Sequence, residues 1–206
     1  MTSPKQLAVR ILWNLNQGVG RVRRLLTRGR LDHYDRLHLG SGSRRLEGWA
    51  NLDIDGYGHL VWDLRKPLPM GTDRARLIYT EHFIEHIPRD DARKLFTHAR
   101  SVLKSDGILR ISTPDLAKIA RDYVEGKLVQ MPHGNWFPAT LCQMMNDAMR
   151  RWGHVFVYDQ PELESLLREC GYTRIERVRW GESDHPELRG LESRPDFDDL
   201  IVEARP

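Results

Sequence analysis

RLHLGSGSRRLEGWANLDIDGYGHLVWDL, residues 36–64, reads as three short strands, each ending at a polar tip. Leu37 and Leu39 alternate with polar neighbours and stop at Gly40-Ser41-Gly42. A strand entering a Gly-x-Gly turn lets a ligand approach the backbone, because glycine has no Cβ to block it or to restrict φ. The second run, Ala50 to Ile54, carries Asp53 and is followed by Asp55. A carboxylate at a neighbouring strand tip can accept hydrogen bonds from two ribose hydroxyls. The third run, His59 to Leu64, closes on Trp62-Asp63-Leu64, an acceptor for an exocyclic amine flanked by apolar surface for a purine. Gly-x-Gly alone is often an ordinary turn. Three such tips in succession are far more specific.

Working outward, the elements alternate as a parallel, doubly wound sheet requires. Ala75 to Thr80 is a buried strand, Asp90 to Lys104 an amphipathic helix closed by Ser105-Asp106-Gly107, and Ile108 to Ser112 the next strand. A helix follows Thr113-Pro114-Asp115, with Leu116, Ile119, Ala120, Tyr123 and Val124 as its apolar face. Asp159-Gln160-Pro161-Glu162 opens the last helix, which stops at Gly171, and two strands, Thr173 to Trp180 and Asp199 to Ala204, end the chain. Between these elements, residues 128–152 combine Pro132, Gly134 and Pro138 with Trp136, Phe137, Met144, Met145, Met149 and Trp152. Such a segment is expected to lie as a lid over the strands' C-terminal edge, with His133 and Asn135 as polar candidates for an acceptor pocket. The loop from Gly181 to Phe197 is expected to form a second, polar rim, either solvated or bonding a polar acceptor.

On these strand tips and this alternation the chain resembles the class I S-adenosylmethionine-dependent methyltransferases. Among them it resembles small bacterial methyltransferase-domain proteins associated with surface-polysaccharide biosynthesis. The resemblance implies an α/β, Rossmann-like fold: a mostly parallel seven-stranded sheet with an antiparallel C-terminal hairpin. It also implies S-adenosyl-L-methionine as cofactor. Gly40, Ser41 and Gly42 would face the methionine carboxylate and amine, Asp53 the ribose, and Ile54 the adenine. Asp63 and Leu64 would meet the adenine edge, and Thr80 and Glu81 the methionine end. Asp55 competes with Asp53 for the ribose.

Only eleven positions separate Gly42 from Asp53, against about twenty in a dinucleotide fingerprint. The first crossover is therefore shortened and nearly helix-free. Without a full helix N-terminus the loop favours a phosphate less, which counts against NAD.

The sharpest reactive cluster is YTEHFIEHI, residues 79–87. If a helical turn starts there, His82, Glu85 and His86 share one face. With His154 they could ligate a divalent metal. The arrangement is similar to O-methyltransferases of small-RNA 3′ ends and of ubiquinone biosynthesis, in which a metal polarises the acceptor hydroxyl. In those families the position of His82 is acidic, so histidine here tilts toward a softer metal than magnesium. Two other readings stand beside it: a structural or cofactor-contact role, and base catalysis by His154 or His86. The His-x-x-Glu-His spacing also occurs in zinc peptidases, which would leave the strand tips without a purpose.

The expected activity is methyl transfer, by O-methylation, to a sugar, glycan precursor or other small polar acceptor. An RNA or small-molecule metal-assisted O-methyltransferase and a non-catalytic cofactor-binding subunit are the alternatives. The 206 residues suit one domain, residues 35–206, behind a leader, residues 1–34. Two well-separated cysteines exclude a disulfide scaffold and fit a reducing, cytoplasmic setting. No apolar run spans a bilayer, and the N-terminal one is too interrupted for a signal peptide. Seven lysines and arginines against two aspartates give residues 1–35 a charge of +5 within the formal +3, leaving −2 for the remainder. Ser3-Pro4 and the stripe Leu7, Ile11, Leu15, Val19 and Val22 predict a basic amphipathic helix over residues 4–30. It could pack on its own domain or a partner protein, or rest peripherally on the inner membrane face; nucleic acid is the weaker partner.

Overall fold

A computed structural model describes residues 31, 33–54, 60–130, 135–194 and 199–206. The leader helix, Asp55 and His133 lie outside the described residues. Seven strands form one sheet: β1 (Arg36–Leu39), β2 (Ala50–Asp53), β3 (Leu60–Val61), β4 (Ala75–Glu81), β5 (Leu103–Pro114), β6 (Arg174–Val178) and β7 (Asp199–Arg205), in the spatial order β3-β2-β1-β4-β5-β7-β6. Only β7 runs against the others, pairing antiparallel with both β5 and β6. Four helices are described: α1 (Arg89–Val102), α2 (Leu116–Val124), α3 (Leu141–Arg150) and α4 (Gln160–Glu169). The strand order reverses between β1 and β4, and in open α/β sheets the ligand crevice opens at that point, outside the strands' carboxyl ends.

Pleating sends alternate side chains to opposite faces, and the two faces are covered differently. Leu37, Leu39, Ala50, Leu52, Ile78, Leu109, Ile111, Leu200 and Val202 build the main core with Leu95, Phe96, Ala99, Leu163 and Leu166 of α1 and α4. On the opposite face Leu77, Tyr79 and Ile108 meet Trp49 and Leu188. No helix lies between β1 and β2, so this face lacks the cover a normal first crossover gives. The β6–β7 connection supplies it instead. Glu187 binds Arg36 and Arg76 at the starts of β1 and β4, Leu188 is fully buried, and Ser193 reaches Glu81 at the end of β4. The rim expected over residues 181–197 is thus, over its described part, a packed strap.

A second correction concerns α2. Tyr123 and Val124, expected on its apolar face, are exposed. The helix packs against α3 through Ile119 in a small separate cluster built on Trp136, Met144 and Ala148. The boundary of α1 also moves. Leu103 already pairs with Ala75, and residues 104–107 bulge before Leu77 pairs with Ile108. Caps are as the residue types require: Asp115, Thr140 and Asp159 accept amide hydrogen bonds at the starts of α2, α3 and α4.

Candidate active site

The glycine turn follows β1 with positive φ at Gly40 (+69°) and Gly42 (+50°). A Cβ on Gly40 would sit 2.4 Å from the Phe83 ring, so glycine is needed there twice over. A Cβ on Gly42 would meet nothing within 4 Å; open space lies above it. The Asp53 carboxylate joins the turn to β2, with Oδ2 accepting from Gly42 N at 2.8 Å and Oδ1 from Ile54 N at 2.6 Å. Ile54 beside it is exposed. Asp63 is clasped by Arg65, which donates to both of its oxygens at 2.8 and 2.9 Å. Burial works to raise its pKa, yet these bonds hold the carboxyl below its usual range. Leu64 is buried.

The short crossover depends on a residue the tip pattern did not single out. Asn51, fully buried, accepts from Leu46 N and donates to the carbonyls of Leu46 and Trp49. His38 Nδ1 lies 2.9 Å from its Oδ1. The signal available in the sequence was an amide side chain, Asn51, between the apolar Ala50 and Leu52 of a short strand.

Thr80 and Glu81 end β4, and both are buried. Thr80 Oγ1 has no hydrogen-bond partner among the described residues. Glu81 accepts from Ser193 N and Oγ at 2.6 and 2.9 Å and from Arg44 Nη1 at 2.9 Å.

Beyond Glu81 the chain turns sharply. His82 takes a left-handed φ of +47°, and a 3-10 turn, Ile84–His86, follows instead of the helical turn that would align His82 with Glu85 and His86. One ligand atom each from Glu85, His86 and His154 lies within 4.8 Å of the others. That three-donor group does not include His82, the fourth ligand expected from the sequence. His82 Nδ1 instead stands 3.2 Å from Glu85 Oε1, while Thr113 Oγ1 donates to Oε2 at 3.1 Å.

Glu85 is fully buried. Burial would raise its pKa, but the bond and charge of His82 keep the carboxyl below its ordinary range. The Glu85 carbonyl accepts from Val155 N and Phe156 N, which brings His154 alongside. The His86 and His154 rings stand edge to face at 5.0 Å. His154 Nδ1 is 2.8 Å from the Ala148 carbonyl of α3, so this nitrogen donates and Nε2 keeps its lone pair. Burial lowers the His154 pKa, which favours the neutral imidazole. Asn135 lies on an exposed turn.

A family model described as a methyltransferase domain matches residues 39–177, from the end of β1 into β6. The chain belongs to the methyltransferase-domain family. Solved structures share its fold. A SAM-dependent methyltransferase from Archaeoglobus fulgidus is 12% identical with a TM-score of 0.53, covering 91% of this chain and 94% of its own. A Thermotoga maritima protein described as a possible histamine N-methyltransferase is 13% identical at 0.54, with coverage of 82% and 81%. An S-adenosylmethionine-dependent methyltransferase from Mesorhizobium loti is 16% identical at 0.50, with 84% and 91% covered. No curated protein sequence matches the chain.

The methyl donor of this methyltransferase is S-adenosylmethionine, and the strand tips fit it. The turn leaves room above Gly42, Asp53 offers carboxylate oxygens at the tip of β2, and Ile54 presents an exposed apolar side chain next to them. These features lie next to the β1/β4 reversal, while the Glu85 group stands just past the tip of β4. The glycine turn, Asp53 and the Glu85 group therefore share one edge of the sheet. Among the described residues no helix is long and apolar enough to cross a membrane.

Proposed function

We propose that this methyltransferase methylates an oxygen of a sugar, glycan precursor or other small polar acceptor, and that Glu85, His86 and His154 activate that oxygen around a divalent metal. The convergence of those three donors within 4.8 Å carries the reading. Neutral imidazole and ionised carboxylate are the ligating forms, and the environments of His154 and Glu85 favour them. Two imidazoles and one carboxylate suit zinc, iron or manganese better than magnesium. A cation there supplies Lewis-acid polarisation that lowers the pKa of an acceptor hydroxyl.

The chain's own residues do the remainder. His82 and Thr113 orient the Glu85 carboxylate, and the Ala148 carbonyl orients His154. With both imidazoles on the cation, the acceptor's proton would pass to solvent water, which reaches the group at His86, one-third exposed. As the acceptor oxygen bonds to the methyl carbon, the carbon–sulfur bond breaks and S-adenosylhomocysteine leaves. Positioning the two reactants supplies much of the acceleration. Trp152, exposed and 5.6 Å from the His154 ring, offers an indole against which the C–H face of a sugar can lie.

The test is mass spectrometry of monosaccharides and nucleotide sugars incubated with the protein and S-adenosylmethionine, with and without chelator. It is paired with calorimetric titration of zinc and manganese into the wild type and His154→Ala. Methylated product lost on chelation, and metal affinity lowered at least tenfold in His154→Ala, are expected. Equal metal affinity in both proteins, or turnover indifferent to chelator, would remove the metal; methylation at nitrogen or carbon would remove the oxygen acceptor.

A further inference from the structure

We propose that Arg44 receives the α-carboxylate of S-adenosylmethionine, in the place where the backbone amides of the glycine turn would be expected to do so. The proposal rests on the methyl donor assigned above. A carboxylate leaving water needs donors, and a helix following the first strand ordinarily offers the unpaired amides of its first turn. No helix lies between β1 and β2. Most of the turn's amides are also engaged: Gly40 N and Ser41 N both donate to the Leu52 carbonyl at 2.9 and 3.2 Å. Gly42 N donates to Asp53 and Arg44 N to the Ser41 carbonyl. The buried Ser41 hydroxyl points at its own neighbour, the Gly42 carbonyl, 3.4 Å away.

Among the described residues, Arg44 is a side-chain cation held at the crevice. It stands two residues past Gly42, at which an added Cβ would meet nothing within 4 Å. Its Nη1 is fixed 2.9 Å from Glu81 at the tip of β4, the strand that flanks β1 across the reversal. Its side chain is 34% exposed while that of Glu81 is 5% exposed, so the guanidinium has access to solvent and its anchor does not. A guanidinium carries five N–H donors in a rigid fork matched to a carboxylate; with Glu81 taking one and the Tyr79 hydroxyl beside it, others are left over. Glu81 is the positioning residue: Ser193 of the strap grips its carboxylate twice, so the strap holds Arg44 in place through it. Arg45, next in the same loop, is exposed and serves as the control.

Calorimetry on the full chain with S-adenosylmethionine and decarboxylated S-adenosylmethionine isolates the carboxylate, since the second ligand keeps the adenosine, sulfonium and amine. Wild type and Arg45→Met are expected to bind the decarboxylated ligand about ten- to a hundredfold more weakly, the worth of a charge-assisted hydrogen-bonded pair. Arg44→Met is expected to bind both ligands alike, at the wild-type affinity for the decarboxylated one, because the two deletions remove the same contact. Wild type that does not distinguish the ligands overturns the proposal. So does Arg44→Met that distinguishes them as fully as wild type, or that weakens both by one factor. Arg44→Gln, which removes the charge and keeps a polar side chain, is the second variant should Arg44→Met fail to fold, and it is expected to lose most of the discrimination; discrimination equal to wild type would overturn the proposal. Wild type that binds neither ligand would instead remove the methyl-donor assignment.

Discussion

His38 is buried on the strap-covered face, with its ring 5.3 Å from Tyr79 and hydrogen-bonded to Asn51. Burial pushes its pKa down from 6.5 to about 4. Between these values the unfolded chain binds a proton that the folded chain refuses, so stability falls as pH drops from 6.5 toward 4. The shift corresponds to about 3 kcal/mol. Carboxylates titrate in the same window, so the measurement is the difference in denaturant midpoint between wild type and His38→Gln at each pH; the variant should lose that share of the slope. Parallel profiles would show that His38 is not buried in the neutral form. Gly40→Ala tests the turn. The new methyl would meet the Phe83 ring in a backbone with φ of +69°, and Phe83 leads directly into the Glu85 turn. The expected outcome is S-adenosylhomocysteine affinity reduced at least tenfold by calorimetry, with the loss extending to metal binding.

At the scale of elements, the strap from Arg179 to Arg194 replaces a crossover helix, and Leu188 is its anchor. It packs with Trp49, Leu77, Tyr79 and Ile108. Leu188→Ala should cost about 2–5 kcal/mol and increase solvent quenching of tryptophan fluorescence, because Trp49 loses its cover. Unchanged stability would mean that the strap does not cover the sheet. The α2–α3 pair is a second such body, joined by Ile119, Trp136 and Met144 and tied to the site by the bond from His154 to Ala148. In both cases the apolar residues were visible in sequence, but their destination was not. Periodicity reports which side chains avoid water, and says nothing about which neighbour shields them. Tyr123 and Val124 illustrate the limit: they occupy helix-face positions and remain exposed because α3 covers another part of α2.

Across the whole molecule the two sheet faces are unlike in chemistry. One is an apolar core; the other buries Arg110 between Glu192 of the strap and Glu203 of β7, at 2.7 and 2.6 Å. Arg110 also donates to the Glu182 carbonyl, so this ion triad fastens both ends of the strap to the sheet. Breaking a buried pair strands the remaining charges, so Arg110→Met should destabilise by about 3–5 kcal/mol in denaturant unfolding. The triple variant Arg110→Met, Glu192→Gln, Glu203→Gln should recover part of that loss. If the single variant proves the more stable of the two, the carboxylates are not relying on Arg110. The strap therefore links a buried ion cluster, through Ser193, to Glu81 and the cofactor turn.

The strands, their order of appearance, the glycine turn and the acidic tip were legible in the sequence, because pleat periodicity, glycine's conformational freedom and carboxylate chemistry act over a few neighbouring residues. His82, Glu85, His86 and His154 were legible as candidates for the same reason. Only the tertiary structure decided that His82 stands behind Glu85, that Arg44 meets Glu81 thirty-seven residues away, and that a loop between the last two strands covers a face left open by the shortened crossover. Those outcomes depend on which buried surfaces and charges must be satisfied once the sheet has closed, and such demands join residues that carry no local mark of one another.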